Sequence, residues 1–237
     1  MKKLLASAII AATPMMAQAD LLFTVEAGAN VWQADASGSV ESSVGDVVDL
    51  GSDGMNLDAE NQNVIFVAFE HPIPVLPNIK ITNTALDFSG DNQSKLDLSN
   101  TDLTLYWGVP LPIPFVDINF GLTARQFDGE VYNDASTGLP INEKLDFIIP
   151  MGYLNVDIDT PFGLYGYVEL NAISYDGNGI TDTAIAVGYT LPIPIVDISL
   201  EAGHRSLSLD TTEDLAGIDT DIDVSGMYFG LNLSVGI

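Results

Sequence analysis

Cysteine is absent from the 237 residues, so no disulfide framework is available to this chain. Basic residues are scarce: seven Lys plus Arg stand against 33 Asp plus Glu, a balance that repels the phosphates of nucleic acid and excludes it as a partner. Histidine occurs twice, as His71 and His204. Beyond the first twenty residues, no uninterrupted apolar run approaches the roughly 18 residues that mark a membrane-spanning helix. Acidity of this degree usually accompanies disorder, yet the chain is 47% hydrophobic with a positive mean hydropathy, which a solvated coil would not be. The acids must therefore be segregated from the apolar positions.

The first residues, MKKLLASAIIAATPMMAQAD, place Lys2 and Lys3 before an apolar run that ends at the small-residue site Ala17-Gln18-Ala19. That is the form of an export signal. Residues 1–19 are expected to be removed, which takes the formal charge from −26 to −28 and leaves 20–237 as a single domain outside the cytoplasm.

Segregation occurs at period two. In residues 23–31, Phe23, Val25, Ala27, Ala29 and Val31 alternate with Thr24, Glu26 and Asn30; Met227, Phe229, Leu231, Leu233, Val235 and Ile237 alternate likewise with Tyr228, Asn232 and Ser234. A soluble sandwich would also alternate. These strands, however, run about 10 to 12 residues, the length that a tilted strand needs to cross a bilayer, and their polar faces carry the Asp, Glu, Arg, Asn and Gly of a barrel lumen.

The phrase LPIPFVDI at 111–118 returns as LPIPIVDI at 191–198 and, more loosely, as HPIPVLPNIKI at 71–81. Proline cannot donate to a ladder, so each copy reads as a short turn between strands, on the periplasmic side where such barrels keep their short connections. This ruler predicts an all-β fold, an antiparallel transmembrane barrel of ten strands at 21–32, 62–71, 79–88, 96–107, 116–127, 145–158, 164–175, 181–191, 196–206 and 224–237. A fourth periplasmic turn falls at 159–163. External loops are expected at 33–61, 89–95, 128–144, 176–180 and 207–223, the first and last strongly acidic. The third strand is the poorest fit, because Asn83 and Asp87 share a face with Ile79 and Ile81; without it and its partner the count is eight.

These residues resemble a family of small, mostly uncharacterised outer-membrane barrel proteins of Gram-negative bacteria. The likeness is carried by EAGANVWQADASG, with Gly28, Trp32 and Gly38, by DLSNTDLTLYW at 97–107 and by DINFGLTARQFDG at 117–129. It touches most of the mature chain, and its motifs are structural, so it implies the fold and an outer-membrane location rather than an activity. The closing Ile237 departs from the aromatic residue that usually ends such barrels.

Alternation sends Arg125 and Arg205 to the same side as Asp117, Asp197 and Glu201. Buried charges need partners, so these five are expected to form a salt-bridged lumen plug, with a charged constriction in a narrow passive channel as the alternative. Residues eight apart on one strand cannot meet, which leaves neighbours such as Asp182 and Asp223 as partners for Arg205. The acidic loops are read as solvated, with weak divalent-cation binding at segments such as GSDGMNLDAE (51–60) as the minority alternative. His204-Arg205-Ser206 is similar to the His-x-Ser of outer-membrane lipid A deacylases, which makes His204 and Ser206 a candidate base and nucleophile of a lipid A ester hydrolase. Leu207 stands where that family has asparagine, and no acid is in evident register. The paired aspartates and Asp-His couple of omptin-type proteases have no counterpart around His204.

The expectation is therefore an integral outer-membrane protein with a structural or interaction role and a largely plugged lumen. It is not expected to be an enzyme or to carry a cofactor or metal. Its partners would be outer-membrane lipid and lipopolysaccharide, and the barrel-assembly machinery and periplasmic chaperones during biogenesis.

Overall fold

The computed structural model describes residues 23–41, 47–110, 113–133, 141–191, 193, 195–212 and 219–236. The export signal at 1–19 and the final Ile237 lie outside them. Ten long strands form the wall: β1 (Thr24–Glu41), β2 (Glu60–Glu70), β3 (Asn78–Ala85), β4 (Asn100–Gly108), β5 (Val116–Asn133), β6 (Ile141–Asp159), β7 (Leu164–Tyr175), β8 (Asn178–Leu191), β9 (Asp197–Thr211) and β10 (Asp219–Gly236). Each pairs antiparallel with its neighbours in sequence, and β1 pairs with β10 from Thr24↔Gly236 to Glu41↔Asp219, so the sheet closes into a ten-stranded barrel. Closure is what hydrocarbon demands, since no water is there to satisfy a free strand edge.

The outward side chains of the wall are apolar over one band. On β10, Met227, Phe229, Leu231 and Leu233 are 42–57% exposed, and from Met227 to Val235 is roughly 27 Å of strand, the scale of a membrane barrel's apolar belt. Ile65, Val67, Ile81, Leu103, Leu122, Ile185 and Val187 continue the band around the ring. Aromatic pairs gather toward the end that carries the proline turns: Phe23 stacks on Phe69 at 5.7 Å and Trp107 on Phe120 at 6.2 Å. The protein is thus an integral outer-membrane barrel.

Pro72, Pro74, Pro110 and Pro114 fall between strands, as the missing donor requires. Phe115 and Ile195, at matching places in the two copies of the phrase, both hold a left-handed backbone, with φ of 68° and 85°. For an isoleucine that is an outlier, and its recurrence shows that the two copies share a backbone conformation at this position. At the opposite end, Asp176 and Gly177 (φ 49° and 83°) close β7 onto β8 in two residues, the usual chemistry of a tight hairpin. Pro150 lies inside β6 yet breaks nothing. The β6–β7 ladder has its last pair at Gly152↔Ala172, so among the described residues the strand continues past Pro150 paired only with β5 and needs no donor on its other side.

The strand count agrees with expectation, whereas three of the expected external loops are corrected: residues 128–133 continue β5 and 141–144 belong to β6, and the two acidic loops shorten in the same way. Residues 33–41 continue β1, and residues 207–211 and 219–223 continue β9 and β10. Along these extensions the two faces of the strand exchange character. Outward residues below Gln33 are apolar and those above are Gln33, Asp35, Ser37 and Ser39, while the inward series changes from Glu26, Gly28 and Asn30 to Trp32, Ala34, Ala36 and Val40. On β10 the switch falls between Met227 and Ser225, beyond which Asp223, Asp221 and Asp219 face out and Val224 and Ile222 face in. The loop-side half of the barrel therefore encloses a hydrophobic core like that of a soluble barrel. Its lid comes from residues 50–57 and the short strands Val47–Asp49, Asp87–Ser89 and Lys95–Asp97, which bring in Leu50, Met55, Phe88 and Leu96, each 0% exposed. Asn83, the awkward residue of β3, faces outward at the upper edge of the belt and bonds to Thr101 Oγ1 at 3.0 Å; Asp87 lies beyond the end of that strand.

Leu209 tests the correction. In a solvated loop its truncation would be nearly silent, but it is 1% exposed in the core, so Leu209→Ala should cost about 2 to 5 kcal/mol in urea unfolding of the liposome-inserted barrel.

Candidate functional site: the barrel lumen

Three layers fill the lumen. Beneath the hydrophobic core lies an ion layer in which charges alternate: Asp102 on β4, Arg125 on β5, Asp182 on β8 and Arg205 on β9. Arg125 grips Asp102 with two bonds of 2.7 Å and reaches across the lumen to Asp182 Oδ2 at 2.6 Å. Arg205 grips the same Asp182 at 2.9 and 2.7 Å, donates to Thr84 Oγ1 at 3.3 Å, and lies over the Trp32 ring at 4.9 Å. The Arg125 side chain is 0% exposed and that of Asp182 5%. Asp102 stands opposite Arg125 in the β4–β5 register, so that pair forms between neighbours; the bond to Asp182 spans two intervening strands and ties β5 to β8 through the lumen.

Below the ion layer, toward the proline turns, is a chamber of about 300 Å³. It runs from Trp32, Arg125 and Arg205 down to Glu70 and Asp159, the last residues of β2 and β6. Tyrosines and carboxylates line it. Tyr106 donates to Glu70 at 2.7 Å; Tyr153 and Lys80 meet Glu169 at 3.1 and 2.6 Å; Tyr165, Tyr167 and Asn232 meet Glu201 at 3.1, 3.3 and 2.9 Å. Tyr167 and Tyr228 share a hydroxyl contact of 2.6 Å.

Of the five residues expected to plug the lumen, Arg125 and Arg205 meet through Asp182. Glu201 lies a layer lower, held by tyrosine and amide donors. Asp117 is exposed and Asp197 half-buried at the turn end, and among the described residues neither makes an ion pair. Asp223, named as a partner for Arg205, faces outward with Met227 and Phe229. Sequence reasoning missed Asp102, Lys80 and the tyrosines, although all share the inward phase of their strands.

His204 and Ser206 lie on the outward face of β9, His204 exposed, opposite Ile185 and Met227, and Ser206 opposite Thr183 and Ser225. Among the described residues no hydrogen bond joins them and no acid is paired with either. GSDGMNLDAE folds into the lid rather than around an ion: Met55 is buried, Asp49 Oδ1 accepts from the Gly51 N–H at 2.7 Å, and Glu60 accepts from the Ser89 N–H at 3.1 Å. Among the described residues no three His, Cys, Asp or Glu gather to hold a metal. Lys95 sits between Asp97, Glu130 and Asp87 at 3.3, 3.3 and 3.6 Å.

No protein-family model and no curated protein sequence matches the chain. Solved structures do. The outer-membrane protease OmpT of Escherichia coli aligns over 91% of this chain and 96% of its own, at 11% identity and a TM-score of 0.43. The β domain of the Bordetella autotransporter BrkA aligns over 91% and 100%, at 7% identity and 0.46. Neisserial surface protein A aligns over 91% and 97%, at 12% identity and 0.34. The architecture stands on this chain's own strand registers, and nothing that those proteins do carries over.

Removing Arg125 leaves Asp102 buried without its partner and Asp182 with Arg205 alone. Arg125→Ala should destabilise the barrel by about 3 to 5 kcal/mol, read as earlier loss of its heat-resistant gel mobility, while Asp117→Ala should change little.

Proposed function

We infer that the protein is a non-conducting outer-membrane barrel with a structural or interaction role, presenting its acid-rich upper strands outside the cell and an open chamber to the periplasm. The observation that carries this reading is Arg125, wholly buried between Asp102 and Asp182 under a hydrophobic core, where an open pore would need water. The export signal, the proline turns and the resemblance to small Gram-negative barrels support the orientation, and delivery by periplasmic chaperones and the barrel-assembly machinery follows from it. Reconstituted in planar bilayers, the wild type should show no steady single-channel current. Steady conductance, with ion selectivity changed by Arg125→Ala, would replace this reading with the narrow channel.

Lipid A ester hydrolysis is the reading that the His204 and Ser206 geometry does not favour, since a nucleophile needs a base in contact and the base an orienting group. Ser206→Ala should leave the lipid A acylation pattern unchanged by mass spectrometry of cells making each form.

A further inference from the structure

The lumen above the chamber is closed, but the chamber is not filled. Six of its lining carboxylates lie below the ion layer, those of Glu26, Glu70, Asp157, Asp159, Glu169 and Glu201, and the lining cation at that level is Lys80. Tyrosine, asparagine and lysine donors occupy Glu70, Glu169 and Glu201. Glu26 accepts no hydrogen bond among the described residues. Two lining amides turn their Oδ1 atoms onto the wall instead, away from the chamber. Asn232 is 8% exposed and spends its Nδ2 on Glu201, which fixes its Oδ1 as an acceptor without a donor; Asn30 Oδ1 is likewise buried and unpartnered. Both lie in the space that a side chain at the facing glycine would fill, 2.2 Å from a Cβ on Gly28 for Asn232 Oδ1 and 2.2 Å from one on Gly230 for Asn30 Oδ1, so the acceptor open to the chamber is the Glu26 carboxylate.

We propose that this chamber is a binding site for a small organic cation with primary ammonium groups, entering from the periplasmic side. An ammonium supplies positive charge and N–H donors to carboxylates that outnumber the one lysine at their level. The aromatic rings supply the rest, since a ring face attracts a cation, and the lumen already uses it twice, with Lys80 5.1 Å from the centre of Phe66 and Arg205 over Trp32. The acids stand on different strands, β1, β2, β6, β7 and β9, and do not converge as metal ligands would; an extended molecule with separated charges fits that spacing. Anions are excluded by charge.

The proposal rests on the closed-lumen reading, and calorimetry tests it separately from conductance. Purified full-length barrel in detergent should bind 1,5-diaminopentane saturably and not bind 1-pentanol, its uncharged relative. Glu26→Gln should weaken diamine binding at least about tenfold, while Glu60→Gln, outside the chamber, should leave it unchanged, all variants being checked for folded gel mobility. Absence of saturation by about 1 mM diamine, undiminished binding to folded Glu26→Gln, or equal binding of 1-pentanol to the wild type would overturn the proposal.

Discussion

The solvent changes along the length of every long strand, and both faces must answer the change at the same height. Within the bilayer the outward side chains meet hydrocarbon and the inward ones can be polar. Above it the outward side chains meet water, and a barrel of this width has to fill its interior with its own apolar groups to stay folded. β1 makes the exchange between Val31 and Gln33 outside and between Asn30 and Trp32 inside. The period of two is never broken; only the meaning of odd and even is reversed.

The ion layer sits at that exchange. An arginine placed higher would displace core, and one placed lower would open to the chamber. At the boundary, Arg125 and Arg205 with Asp102 and Asp182 make a neutral set, two charges of each sign, whose lateral reach locks β4 and β5 to β8 and β9, with Arg125 Nη1 left as a buried donor without a partner. Such a layer contributes uniqueness more than bulk stability, because both partners of each pair were taken out of water to form it. Tyr165, Tyr167 and Tyr153 perform the related task below, giving hydroxyl protons to carboxylates that would otherwise repel one another.

Ten strands, their order and the proline turns were legible because lipid-facing apolar residues recur at period two and proline marks where pairing stops. The extensions of β1, β9 and β10 were not, for a physical reason: Val40, Leu209, Ile222 and Val224 are as regular as Leu231, but they belong to the opposite face, and the acids between them look like loop composition. Asp102 was readable from its phase with Thr104 and Tyr106. The contact of Arg125 with Asp182 and that of Lys80 with Glu169 were not, since each joins strands that meet only across a closed ring, and the stagger of that ring is set by all ten registers together.

The open side of β6 has a consequence for life in a crowded membrane. From Ile141 to Met151 the strand rises beyond the last β6–β7 pair with no partner on that side among the described residues, beside the low turn at Asp176 and Gly177. A bare hem of this length is a template onto which a neighbouring copy could zip. Its own residues discourage it: Pro150 interrupts the row of donors, and Lys144 and Asp146 place charges on the outer face of the edge. That stretch of edge is therefore blunted in the ways that edge strands of soluble sheets are.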